Sequence, residues 1–246
     1  MPLQLVLDFG NTSLKAFLFE EQELRAQTIL PSASIEAVLA FTGTAPVRAA
    51  ILASVVDLPE NFESSLRAHF PLLVAGKDTK LPFGNSYATP ATLGFDRLAA
   101  AAAARQRFPG SPVLAIVAGT CITYNIIDGE GNFAGGAIAP GLHMRLRAMH
   151  EFTDKLPLVP LEGEHPLVGT TTETSLRAGV YHAALAETEG MIRRYTAAFP
   201  GLQTVIGGGD AAFLAEGLKN GIFARPNLVP EGLNSILLKH VANQSL

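Results

Sequence analysis

Twice along its 246 residues the chain repeats one device: an apolar run meets a bend bearing glycine and threonine, then continues as a second apolar run. The first copy is Leu5 to Phe19, LVLDFGNTSLKAFLF, and the second is Val113 to Ile127, VLAIVAGTCITYNII. The flanks favour β-strands and the residues between them favour tight turns, so each stretch reads as a hairpin. In the first, Asp8 closes the outgoing strand, and Gly10 frees the backbone to turn and to approach a ligand. Consecutive backbone N–H groups, with the Thr12 and Ser13 hydroxyls, make a donor array suited to phosphate oxygens. Lys15, two residues past Ser13, alternates to the same face and carries positive charge towards a nucleotide. Asp8 is placed to hold magnesium. Read alone, the same residues also suit an ordinary turn whose Asp, Asn and Thr satisfy its own backbone. The recurrence, with Gly119 and Thr120 at the second bend, points instead to a duplicated fold with a cleft between its halves.

This arrangement resembles the actin, hexokinase and heat-shock ATPase superfamily, in which two such turns grip the phosphates of ATP from opposite sides. The resemblance implies an α/β fold of two similar actin-like (ribonuclease H-like) domains, 1–108 and 109–246, with an ATP cleft between them. The length suits one or two domains of roughly 100 to 200 residues each. With 48% hydrophobic and 16% charged residues the chain is of the packed, globular kind. A net charge of -4 gives no electrostatic reason to expect nucleic acid as a partner. No basic segment precedes an apolar run at the N-terminus, and no stretch reaches the roughly 20 apolar residues of a membrane span. The expectation is a soluble, cytoplasmic protein without a membrane partner. Cys121, the one cysteine, lies in an apolar strand and reads as a buried structural thiol.

Between and beyond the hairpins, strands and helices alternate. Helical spacing recurs in 31–41 and 58–70, and strands are expected at 47–56 and from 71 to 74. Residues 76–92 form a long polar loop, of the kind that is often functional. It delivers the chain to Thr92-Leu93-Gly94-Phe95-Asp96-Arg97 and an alanine-rich helix. An acid there is a common helix first-turn residue. Beside Arg97 it also makes a base and an anion clamp for a small polar substrate. Residues 132–141, NFAGGAIAPG, are too rich in glycine and proline for a regular interior strand and read as a bend near a ligand. Helices follow at 142–152 and 172–199. Residues 204–210, TVIGGGD, form a strand entering a glycine turn, taken as the adenosine end of the cleft. A dinucleotide reading of that turn lacks its acid, because Glu231 sits in a turn-like context after Pro230.

Four motifs in order, Asp8-Phe9-Gly10-Asn11-Thr12, Gly94-Phe95-Asp96-Arg97, Gly119-Thr120 and Gly135-Gly136-Ala137-Ile138-Ala139-Pro140-Gly141, are similar to the type III pantothenate kinases. The likeness continues through 152–159 and 169–179. It implies that Asp8, Phe9, Gly10, Asn11, Thr12, Ser13, Leu14 and Lys15 bind ATP, with Thr120 touching the nucleotide from the other domain. Asp96 would be the general base that takes the proton of the pantothenate hydroxyl. Tyr87, Gly94, Phe95, Asp96, Arg97 and Thr172 would contact pantothenate. A homodimer, magnesium with ATP, and a monovalent cation (potassium or ammonium) are further implications. The chain departs from the pattern at Val117, where the family places an acid associated with that cation, and at Asn125, where it often has an aspartate. Valine offers no oxygen ligand, so a cation site of the usual kind is not expected. These departures also open a second function, a regulatory protein like the Bvg accessory factors; a sugar or acetate kinase is disfavoured by the short chain and the Gly94–Arg97 motif.

Overall fold

The computed structural model describes residues 2–10, 13–218 and 223–243; Asn11 and Thr12 of the first bend lie outside them. The first half runs β1 (Leu3–Phe9), β2 (Leu14–Glu20), β3 (Glu23–Leu30), α1 (Ile35–Thr42), β4 (Val47–Ser54), α2 (Phe62–His69) and β5 (Leu72–Val74). A short strand, β6 (Gly84–Asn85), and a 3-10 turn lead to α3 (Phe95–Arg107). The second half runs β7 (Val113–Ala118), β8 (Cys121–Ile127), β9 (Asn132–Pro140), α4 (Leu142–Glu151) and α5 (Thr172–Ala198). It ends with β10 (Gln203–Gly207), α6 (Ala211–Gly217), β11 (Phe223–Arg225) and α7 (Leu228–Ala242).

Both expected hairpins form, and the sheets built on them have the same plan. Their strand orders are β3-β2-β1-β4-β5 and β11-β10-β7-β8-β9-β6. In each, the central strand opens an antiparallel three-strand meander on one side, and two parallel strands follow on its other side. β6 is an addition, paired in parallel with β9, so the chain reaches the second sheet before α3 begins. The central strands are continuous apolar runs, as strands covered on both faces require, with Leu5 to Leu7 and Leu114 to Ile116 fully buried.

The helices that close the two halves, α3 and α7, pack together between the sheets. Their shared core takes Val6, Ile51 and Ala53 from one sheet and Val113, Ala115, Ile127 and Val205 from the other. Small residues make that approach close. A Cβ on Gly232 would strike the carbonyl of Ala99, and these two are each the fifth residue of their helix. The alanine run of α3, legible as a helix former, therefore also serves as a thin spacer that lets two backbones meet.

The structure corrects three readings and adds a strand. Residues 132–141 are a strand rather than a bend: β9 lies inside its sheet, and Gly135 and Gly136 stay in it at φ +105° and +146°. A Cβ on Gly136 would strike the Tyr124 carbonyl, so glycine removes a clash instead of ending the strand. Glu231 belongs to the first turn of α7 and pairs with Arg225 at 2.9 Å. Pro230 is tolerated there because the N–H it lacks would have no helical acceptor. The charged segment after β2 turns tightly at Glu21, φ +52°, and becomes the edge strand β3. Finally, Cys121 is only half-buried, because it opens β8 right at the bend.

Candidate active site

The site gathers where the end of β1 faces the start of α3. Asp8 stands opposite Lys15 of β2 and beside Ala53 of β4. Burial pushes its carboxyl up to about 6, Lys15 opposes the rise, and the charge of Asp96 adds to it. Asp96, the second residue of α3, is raised too, mainly by burial; the backbone N–H and then the charge of Arg97 hold it down, with its own N–H helping. Both readings of Asp96 therefore hold: it is a first-turn helix acid, and it lies within electrostatic reach of Asp8. Gly94 makes room for it, since a Cβ there would lie 2.5 Å from Asp96 Oδ1.

Arg97 follows on the buried side of α3, with only 5% of its surface exposed. Its Nε donates to Asn125 Oδ1 at 2.7 Å, and its Cζ lies 5.7 Å from the Tyr87 ring and 5.8 Å from the Phe133 ring. Nη2 is buried with no partner among the described residues, and no ion pair reaches the guanidinium. Gly135 leaves space for Tyr87, whose ring would come within 3.3 Å of a Cβ there. Phe133 and the side chain of Asn125 are the participants that the motif reading did not place. The available signal was one amide in the apolar run of β8.

The second bend is held by backbone contacts. Gly119 N donates to Cys121 O at 3.0 Å, Gly141 N to Thr120 O at 3.1 Å, and Asp210 N to Ala118 O at 3.1 Å. Gly141 and Gly208 fit only as glycines, because their Cβ atoms would strike the Gly119 and Ala118 carbonyls. The glycine turn at 207–210 is thereby fastened to the second hairpin. Gly119 itself is different: a Cβ there would meet no atom within 4 Å, so the fold leaves open the space that a ligand would use. Val117 pairs with Thr123 and Gly207 and packs on the shared core, offering hydrocarbon only.

Of the remaining candidates, Gly10, Ser13 and Leu14 are on the first hairpin with Asp8 and Lys15. The ring of Phe9 is fully buried and stacked on Phe62 at 5.6 Å, so a contact from Phe9 to a ligand would use backbone. Phe95 opens α3 and packs on the shared core. Thr120 is exposed at the second bend. Thr172 is the first residue of α5 and exposed; Thr171 is its N-cap, and no hydrogen bond joins Thr172 to Tyr87, Asp96 or Arg97.

Two actin-like halves, with Asp8 at the end of β1 and Asp96 at the start of α3 within electrostatic reach of one another, have the fold of the sugar kinases. A ROK family glucokinase from Streptomyces griseus superposes with a TM-score of 0.53 at 14% identity, covering 95% of this chain and 97% of that one. A Baf family transcriptional activator from Campylobacter jejuni gives 0.62 at 20% identity, covering 98% and 100%. The sequence profile described as type III pantothenate kinase matches residues 4–194. The type III pantothenate kinase of Bacteroides fragilis (strain YCH46) is 42% identical over 236 residues, 96% of this chain and 97% of that protein. The chain belongs to the type III pantothenate kinase family.

Proposed function

We propose that this kinase transfers the γ-phosphoryl group of ATP to the primary hydroxyl of pantothenate, giving 4'-phosphopantothenate and ADP, the first step of coenzyme A biosynthesis. The observation that carries the reading is the pairing on one helix turn of an ionisable base, Asp96, with a buried guanidinium, Arg97, whose Nη2 lacks a partner among the described residues. Asp96 accepts the hydroxyl proton, the freed oxygen bonds to the γ-phosphorus, and the bridging bond to ADP breaks. Arg97 holds the acceptor, with Tyr87, Gly94 and Phe95 lining its place. Such a transfer needs positioning and charge neutralisation more than covalent help.

The first hairpin, with Lys15, and Thr120 are assigned to the ATP phosphates, and the turn at 207–210 to the adenosine end. Kinases of this family use ATP with a divalent metal. Asp8 fits magnesium, because its partly buried carboxylate already feels the repulsion of Asp96, which a divalent cation would offset. No group of three His, Cys, Asp or Glu side chains surrounds it among the described residues, so phosphate oxygens and water would complete the shell. The metal supplies charge neutralisation on the phosphates. A potassium or ammonium ion finds no such fit at Val117.

A homodimer is supported by the exposed apolar side chains Phe152, Leu158, Leu167 and Val168 before α5, close in sequence to Thr172. We divide the halves at 108/109, after α3, with β6 reaching across to the second sheet. No helix among the described residues is long and apolar enough to cross a membrane, and we assign the enzyme to the cytoplasm. A regulator of the Bvg accessory type is not favoured. Keeping Asp8 and Asp96 desolvated near one another costs stability that only chemistry would offset.

A coupled assay of ADP release, with and without pantothenate and with the product mass measured, tests this. Release that depends on pantothenate, with a product heavier by one phosphoryl group, is expected. Release that ignores pantothenate, or none at all, overturns it.

A further inference from the structure

Asn125 lies fully buried in the middle of β8, and a buried amide needs partners for two N–H donors and an oxygen. Nδ2 donates to the Ala115 carbonyl at 3.1 Å and to Thr123 Oγ1 at 3.0 Å. Oδ1 must therefore face the other way, where it accepts from Arg97 Nε at 2.7 Å. The Ala115 carbonyl can only accept, so the side chain cannot flip, and a carboxylate here would set oxygen against oxygen. Position 125 thus gives Arg97 an acceptor without a charge.

Arg97 is left as a buried cation that meets the charge of Asp96 but no opposing charge from position 125. The Tyr87 and Phe133 rings flank its Cζ at 5.7 and 5.8 Å, and Nη2 has no partner among the described residues. Asp96, its neighbour, accepts from backbone N–H groups of the first helical turn and attracts Arg97 through its charge, without a side-chain hydrogen bond between the two. Leaving a desolvated guanidinium unpaired is costly, and an incoming anion relieves that cost in a way a neutral group does not.

We propose that Asn125 is a positioning residue that sets the charge specificity of the acceptor site: it fixes Arg97 through Nε without adding a negative charge that would compete with a carboxylate on the substrate. The inference rests on the pantothenate reading and takes from it that the acceptor carries a carboxylate as well as a hydroxyl.

The test uses steady-state kinetics of the full chain with pantothenate and with pantothenol, in which an alcohol replaces the carboxylate and the acceptor hydroxyl is unchanged. The unmodified protein should favour pantothenate by about tenfold or more in kcat/KM, the scale of one charge-assisted hydrogen bond. Asn125→Asp should raise the KM for pantothenate about tenfold, while the kcat, the KM for ATP and the KM for pantothenol stay within about twofold. Equal losses with both acceptors would overturn the proposal and make Asn125 a packing residue. An unmodified protein indifferent to the carboxylate would overturn it too, and that result stands even if the melting curve shows Asn125→Asp unfolded. No pantothenate-dependent ADP release from the unmodified protein would overturn the substrate reading itself and the ligand inferred here with it, an outcome distinct from the other two.

Discussion

The two hairpins occupy the same place in their sheets, and strand register sets β1 against β7, although the first bend is one residue longer. Asp8, two residues before Gly10, pairs with Lys15 and has Ala53 on its other side. Val117, two residues before Gly119, pairs with Thr123 and has Gly207 on its other side. A charged pair in one copy is an apolar residue and a hydroxyl in the other. The closing helices repeat the contrast: Asp96 and Arg97 are the second and third residues of α3, Val229 and Pro230 those of α7. The first half thus carries the ionisable groups of the proposed reaction, and the second carries close backbone contacts that hold a bend in shape. Duplication reproduces the backbone because register and burial dictate it; charge is retained only where chemistry offsets the cost of burying it.

The contrast predicts where substitutions hurt. Asp96→Asn, nearly isosteric but unable to take a proton, should lower kcat by about 10² to 10⁴ with no loss of melting temperature. Turnover close to that of the unmodified protein would reduce Asp96 to a helix-end acid.

Asp8→Asn should come next, lowering activity by about tenfold or more at limiting magnesium. The same change should stabilise the fold. Asp8 titrates at about 6 in the folded chain against 3.8 unfolded, so its favourable contribution is complete below pH 3.8 and is lost as pH rises through 6. In chelator at pH 7.5 the Asn variant should gain about 1 to 3 kcal/mol in urea unfolding, and the gain should vanish near pH 4. A loss of stability at neutral pH would mean that the Asp8–Lys15 pair outweighs burial.

A smaller effect is expected at the uncharged hairpin. Gly119→Ala meets no atom of the fold within 4 Å, so stability should hold while the KM for ATP rises severalfold. A lowered melting temperature with an unchanged KM would show that Gly119 serves the fold.

Much of this was readable in the chain because apolar runs and turn residues report backbone directly. Both hairpins, the alanine helix with Asp96 and Arg97, and the glycine turn after β10 follow from local pattern. β3 was hidden because its charged start suits a turn and nearly all of its residues are exposed at the sheet edge, although Leu24, Ala26, Thr28 and Leu30 alternate along it. β9 was hidden because Gly135 and Gly136 weaken a strand by propensity, whereas here they admit Tyr87 and the Tyr124 carbonyl. α7 was hidden because Pro230 and Gly232 disguise a helix whose stability comes from burial against α3. The aromatic and amide setting of Arg97 joins positions 87, 125 and 133, and such convergence is tertiary information that no local window contains.

The central claim is that the second hairpin has the shape of the first without its charge, and Val117 is where that claim is most exposed. The direct measurement is the pantothenate-dependent ADP-release rate across a potassium titration in a choline background. A flat profile is predicted, because Val117 offers a cation no oxygen ligand. A steep potassium requirement in the unmodified protein would contradict the account and show that backbone carbonyls alone build a cation site at the second bend.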